Sequence, residues 1–265
     1  MSEHFRPQVG AVFSADIAVP QHEREVRFYS RVLSTGDAPL WRETDLMNSL
    51  GMPVIGLGEL SPEYRDLPLQ WMPHIQVADV AASVDRASRL GGSALMHARD
   101  DAGSSQWAVL RDPNGAAFGI IPVVATGAAT RTGAADANTP SSTGRIYWLD
   151  LTIPDAPATR NFYSEVVGWV AQDVPMKDGH AQYADYNMLR KDGSPAAGVC
   201  HARGVNADLP PVWMIYLPVG DLAESVRRVE SEGGSIVKAM RDGGGELVYA
   251  AVKDPVGACF ALVQG

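Results

Sequence analysis

The sequence predicts an α+β protein made of four βαβββ modules arranged as two tandem halves, and three observations carry that prediction. First, Trp71 recurs as Trp213, 142 residues further on, and the same offset lays Met72 on Met214, Asp79 on Asp221, Gly91-Gly92 on Gly233-Gly234, Asp112-Pro113 on Asp254-Pro255 and Phe118 on Phe260. One supersecondary unit of about fifty residues is therefore used twice. Second, an offset of 134 lays Asp16 on Asp150, Pro20 on Pro154 and Phe28-Tyr29-Ser30 on Phe162-Tyr163-Ser164, so the segments preceding those units also form a pair. Third, 265 residues with 46% hydrophobic and 20% charged side chains suit about two domains, each large enough to bury a core.

Taken in order, the stretch from Ser14 to Pro20 reads as a short strand, with Ile17 and Val19 on one face and Asp16 and Ala18 on the other. A helix follows over about 23–33, with Val26, Tyr29 and Leu33 at helical spacing. Strand material that includes 52–57 closes the first module. The second opens with a strand at Trp71, in which His74 and Gln76 share a face opposite Ile75 and Val77. Its helix over about 80–90 stops at Gly91-Gly92, where glycine accepts the left-handed conformation that ends a helix. Two further strands flank the turn Asp112-Pro113-Asn114-Gly115, in which Pro fixes φ and Gly permits φ > 0. Between Pro122 and Gly144 the composition shifts to Ala, Thr, Gly, Ser and Asn, which predicts a linker. The expected boundaries are a first domain over 1–121, the linker over 122–144 and a second domain over 145–265. In the third module the offset lengthens from 134 to 142 after the helix, which predicts an insertion around 170–181.

Composition excludes several function classes. A net charge of −9 without a Lys/Arg cluster argues against nucleic acid as a partner. No apolar run approaches a membrane span, and the N-terminal segment lacks a signal-peptide pattern, so a cytoplasmic location is expected. Cys200 and Cys259 stand in apolar segments without metal or redox spacing and are expected to be free thiols. There is no phosphate-binding glycine loop, no nucleophile elbow and no Cys/His pair at zinc spacing.

The Phe-Tyr pairs at 28–29 and 162–163, Val166-Val167-Gly168-Trp169, the Gly-Gly helix stops and the two Asp-Pro-x-Gly-Ala-x-Phe turns together resemble the vicinal oxygen chelate superfamily of glyoxalases, extradiol dioxygenases and bleomycin-resistance proteins. The resemblance implies two tandem glyoxalase-like domains whose curved mixed sheets form clefts, with helices outside. In metal-dependent members, it further implies His or Glu ligands on first strands and a Glu near each module's last strand. Here the first-strand slots hold Asp16, His74, Asp150 and Tyr216, whereas the last-strand slots hold Gly119 and Ala261, which offer no ligand atom. No cofactor is therefore expected. If a divalent metal binds, Asp16, His74 and Glu59 are the set to hold it, with Asp150 and His201 as the weaker set in the second half.

Asp16 with His74, and Asp150 with Tyr216, are the candidate catalytic groups, because a carboxylate beside an imidazole or a phenol makes a proton-exchanging pair. Trp41, Gln76, Trp148, Met72 and Met214 are the candidate substrate contacts; large flat side chains with one polar handle suit an aromatic small molecule. Trp71, Trp169 and Trp213 read as packing residues, and Ser34-Thr35-Gly36 replaces the Gly168-Trp169 wall in the first half. The leading expectation is a metal-independent enzyme of specialised, polyketide-type metabolism that performs a dehydration, cyclisation or rearrangement by acid/base catalysis. The alternatives are a sequestering protein of the bleomycin-resistance type and a metal-dependent glyoxalase- or dioxygenase-like enzyme. The chain is expected to be a monomer or a homodimer, and the sequence leaves open whether module one pairs with two or with four.

Overall fold

The computed structural model describes residues 7–33, 54–124 and 146–265. Trp41, the Ser34-Thr35-Gly36 wall and most of the expected linker lie outside them. The first half contributes β1 (Val12–Val19), α1 (His22–Val32), β2 (Val54–Glu59), β3 (Met72–Val77), α2 (Val80–Arg89), β4 (Ser93–Arg99), β5 (Ser105–Arg111) and β6 (Ala117–Pro122). The second contributes β7 (Trp148–Ile153), α3 (Ala156–Val167), β8 (Val170–Asp178), β9 (Ala181–Leu189), β10 (Pro195–His201), β11 (Trp213–Val219), α4 (Leu222–Ser231), β12 (Ser235–Arg241), β13 (Leu247–Lys253) and β14 (Cys259–Gln264).

Two curved mixed sheets result, one ordered β2-β1-β3-β6-β5-β4 and the other β12-β13-β14-β11-β7-β10-β9-β8. Modules one and two share the first sheet; modules three and four share the second. The insertion expected around 170–181 is not a loop: β8 and β9 form an antiparallel hairpin that turns at Gly179-His180 and widens the second sheet. Strand alternation divides each sheet into two faces. Ala15, Ile17, Val19, Ile75 and Val77 of the first sheet, and Leu149, Leu151, Ile215 and Leu217 of the second, enter one continuous core beneath the helices. Met72 and Met214 face the other way, into smaller apolar clusters in the hollows of the sheets.

Three helices start with the same device: the carboxylates of Asp79, Asp155 and Asp221 accept the backbone N–H groups of Ala82, Ala158 and Glu224 at 2.9, 3.0 and 2.8 Å. A cap of this kind is worth about 1 kcal/mol. The helices then pair across the halves: α1 packs on α4, and α2 on α3. Module pairing thus has two answers, one with two through the sheets and one with four through the helices.

The repeated aromatic residues form this seam. Trp71 Nε1 donates to Tyr29 OH at 3.0 Å, and Tyr29 OH donates to Asp254 Oδ2 of the other half at 2.8 Å. Reciprocally, Trp213 Nε1 donates to Tyr163 OH at 2.9 Å, and Tyr163 OH donates to Asp112 Oδ2 at 3.3 Å. Asp112 and Asp254 belong to the Asp-Pro turns, where Gly115 and Gly257 adopt the expected positive φ of 97° and 96°. Each turn carboxylate uses one oxygen to hold its own backbone and offers the other to the tyrosine of the opposite half. Trp71 and Trp213 are fully buried here, and Trp169 donates its indole N–H to the Gly10 carbonyl at 2.8 Å, so all three are packing residues as expected.

Candidate active site and a second hollow

In the first half, β1 and β3 run antiparallel with Asp16 opposite Met72 and Ser14 opposite His74, so Asp16 and His74 meet diagonally on the hollow face. His74 Nδ1 lies 2.9 Å from Asp16 Oδ2, with both side chains about one quarter exposed, at 24% and 28%. Ser14 Oγ stands 3.3 Å from the same Nδ1 and 3.4 Å from the same Oδ2. With the Nδ1 proton donated to Asp16, Nε2 is the nitrogen left for a ligand. Burial pulls the imidazole pKa down, but the charge and hydrogen bond of Asp16 outweigh it, and the ring stays protonated above its ordinary value of 6.5.

The His74 ring packs closely against the backbone of β6, with Cδ2 nearest. Its register partner is Gly119, and a Cβ there would stand 2.1 Å from His74 Cδ2 and 2.7 Å from Nε2. The slot in which the family resemblance implies a glutamate is therefore filled by the imidazole itself. Glu59 does not complete a ligand set: the β2 partner of Asp16 is Gly56, and Glu59 pairs three residues further along with Val19. Among the described residues no three His, Cys, Asp or Glu side chains converge. Among the described residues this hollow therefore offers only the mutually bound Asp16 and His74, whereas a protein-held divalent ion needs three or more donors.

The second half repeats this geometry with different groups. Asp150 lies opposite Met214 and Trp148 opposite Tyr216, so Trp148, Asp150 and Tyr216 occupy the places of Ser14, Asp16 and His74. Trp148 Nε1 donates to Asp150 Oδ1 at 2.7 Å, and a hydrogen bond from Tyr216 reaches the same carboxylate. Burial pushes Asp150 up to about 6, against the lowering effect of those two donors. Burial, and then the Asp150 charge, push the Tyr216 phenol far above its ordinary range. Gly198 on β10 gives the carboxylate room, because a Cβ there would be 2.1 Å from Asp150 Oδ1.

The expected contacts divide accordingly. Met214, Tyr216 and Trp148 are gathered in one apolar cluster with Leu209, Val212 and Tyr249. Met72 lies in the other hollow with Trp107, Met96 and Leu67. Gln76 is not brought into the open hollow: it is fully buried, and its Oε1 accepts the Val124 N–H at 2.8 Å, tying down the end of the first half. Trp41 falls outside the described residues. His201 and Asp150 are not brought together as a pair; His201 Nδ1 instead lies 2.9 Å from Asp185, whose side chain is 6% exposed. Four participants were missed in the sequence: Ser14, Asp185, Cys200 and Tyr249. Ser14 and Tyr249 carried a signal, because the offsets of 134 and 142 lay them on Trp148 and Trp107. Both cysteines are free, and burial pushes the Cys200 thiol up, which keeps it un-ionised.

A hollowed mixed sheet that presents a carboxylate and its hydrogen-bond partner, built twice in one chain, defines a tandem protein of the glyoxalase type. Residues 13–121 match the glyoxalase-like domain family and residues 145–262 the glyoxalase/bleomycin resistance protein/dioxygenase superfamily, so the chain belongs to that superfamily through both halves. It is 28% identical over 202 residues to the anthracycline biosynthesis protein DnrV of Streptomyces peucetius, covering 76% of this chain and 68% of that one. It is 30% identical over 122 residues to CFP32 of Mycobacterium tuberculosis, named as a candidate glyoxylase, and the match spans about half of each chain (46%). Among solved structures, homoprotocatechuate 2,3-dioxygenase from Brevibacterium fuscum superposes with a TM-score of 0.57 at 13% identity, over 99% of this chain and 73% of that one. A 4-hydroxymandelate synthase variant from Streptomyces coelicolor gives 0.54 at 13% identity, over 97% and 92%. At such identities these two establish the fold alone. Among the described residues no helix is long and apolar enough to cross a membrane.

Proposed function

We propose that the protein is an enzyme of specialised metabolism that binds a small aromatic molecule in the first hollow and moves protons with the Asp16–His74 pair, without a metal. The observation that carries this reading is the 2.9 Å contact between His74 Nδ1 and Asp16, with the ring laid over Gly119. Asp16 fixes the tautomer and supports the imidazolium, so that Nε2 donates a proton and later takes one back. The Asp16 charge and hydrogen bond raise the imidazole pKa and so favour the protonated ring that can donate from Nε2. Met72, Met96 and Trp107 supply an apolar wall for a flat ring system. A dehydration, cyclisation or rearrangement of a polyketide-like substrate fits one reversible proton carrier, and the similarity to DnrV supports that setting.

Asp150 and Tyr216 are not assigned the same role, because Tyr216 holds its proton too firmly to exchange it near neutrality. The test is turnover of aromatic polyketide intermediates, followed by product analysis. His74→Ala and Asp16→Asn are each expected to lower kcat by about a hundredfold or more. Unchanged turnover in both variants overturns the assignment of the dyad. Tight binding with complete recovery of unmodified ligand points to a sequestering protein instead.

A further inference from the structure

Among the described residues, the second hollow holds acidic groups with no basic side chain set against Asp150. Its two donors, the Trp148 indole and the Tyr216 phenol, are both neutral. The titratable groups facing it from the neighbouring strands are Cys200 on β10, Asp185 on β9, Tyr216 on β11 and Tyr249 on β13. None of these carries positive charge. His201, turned onto Asp185 at the end of β10, is the base on that side. Arg203 and Lys238 on adjoining segments are engaged elsewhere: Arg203 pairs with Asp178 at 3.2 Å and lies over the Tyr183 ring, and Lys238 Nζ donates to the Val205 carbonyl.

The walls reinforce the sign of this field. Trp148, Tyr216 and Tyr249 gather with Met214 in the apolar cluster, the two tyrosine rings meeting at 5.7 Å in an edge-to-face arrangement. Aromatic faces are negative and attract a cation within about 6 Å, more strongly where water is thin. A desolvated carboxylate without a counter-charge is costly and is relieved by one. Asp150, Trp148, Cys200 and Tyr249 are each only partly buried. In the first hollow the corresponding need is met internally, because His74 stands where Tyr216 stands here.

We propose that the second half binds an organic cation, an ammonium group on an aromatic framework, with the ammonium at Asp150 and the framework against Trp148, Tyr216 and Tyr249. An anion is disfavoured by the same groups. Because burial pushes Asp150 up to about 6, cation binding and ionisation are linked: affinity is full above that value and falls as the pH drops through it.

The test is calorimetric titration of the full-length protein with phenethylammonium, phenethyl alcohol and phenylacetate, three probes of one framework and different charge. At pH 7.5 the ammonium is expected to bind at least about tenfold more tightly than the alcohol, a difference of about 1.4 kcal/mol, and phenylacetate to bind weakest. That advantage is expected to shrink at pH 5 and to disappear in Asp150→Asn. Asp16→Asn is expected to retain it, which separates this site from the proton-transfer pair. Equal affinity for ammonium and alcohol, a preference for phenylacetate, an Asp150→Asn variant that keeps the ammonium's advantage, or no ammonium binding at millimolar concentration overturns the proposal. Should Asp150→Asn fold poorly, the pH series on the unaltered protein decides: an ammonium advantage as large at pH 5 as at pH 7.5 overturns the assignment to Asp150.

Discussion

His74 is held in place by what its neighbour lacks. Gly119 allows the imidazole to lie against β6, and a single methyl at that position would stand 2.1 Å from Cδ2. Gly119→Ala is therefore expected to lift the ring away from Asp16 and to lower activity by about tenfold or more, with the His74 pKa, followed by NMR, moving down as the Asp16 contact weakens. A purely structural role would reduce stability without moving that titration. That Asp16 and His74 both face the hollow was legible from strand parity and the fold that the family resemblance implies, whereas their diagonal contact was not, because the sequence leaves open whether module one pairs with two or with four. Ser14 was less legible, since a serine in a strand carries no sign of its partner until the 3.3 Å approach to Nδ1 is seen. Gln76 misled for the related reason that parity places a side chain on a face without saying whether the face is open there.

At the level of elements, the two helix seams have diverged. Thr159 of α3 bonds Asn114 at 2.9 Å in one, whereas the position of Thr159 is taken in α1 by Glu25, which is fully buried beside Asp254 with no donor for either Oε atom. Burial, with the Asp254 charge adding and Arg24 opposing, pushes Glu25 up to about 7 from an ordinary 4.5. A carboxyl whose folded pKa is raised binds more protons in the folded state, so stability is greatest below about pH 4.5 and is lost as pH rises towards 7. Glu25→Gln is expected to raise the melting temperature at pH 8, by about 1–2 kcal/mol of stability, and to add little at pH 4.5. Thermal scans at the two pH values check it; an equal effect at both would refute the buried-carboxyl account. The positions of α1 and α2 were legible to within a residue or two from apolar spacing and a glycine stop. The hairpin β8–β9 was not, because a change of offset reports extra residues and nothing of their shape.

On the scale of the whole molecule, the duplication was the most legible feature and the crossing of the halves the least. Asp112 and Asp254 announced themselves as turn residues, yet the oxygen that each turn leaves spare accepts a tyrosine from the opposite half, 51 and 225 residues away in sequence. Short-range turn chemistry explains the residue and conceals its distant partner. Leaving such a buried carboxylate oxygen without its donor costs about 1–3 kcal/mol, and Tyr29→Phe together with Tyr163→Phe is expected to lower the unfolding midpoint of the intact chain in urea while both Asp-Pro turns persist. Each sheet is made within one half, and each helical pair is made between them. The peptide joining the halves is thus not what keeps them together. Fragments 1–124 and 146–265 made as separate chains are expected to assemble one to one, as two unlike subunits, and each becomes exchangeable for the corresponding half of a relative.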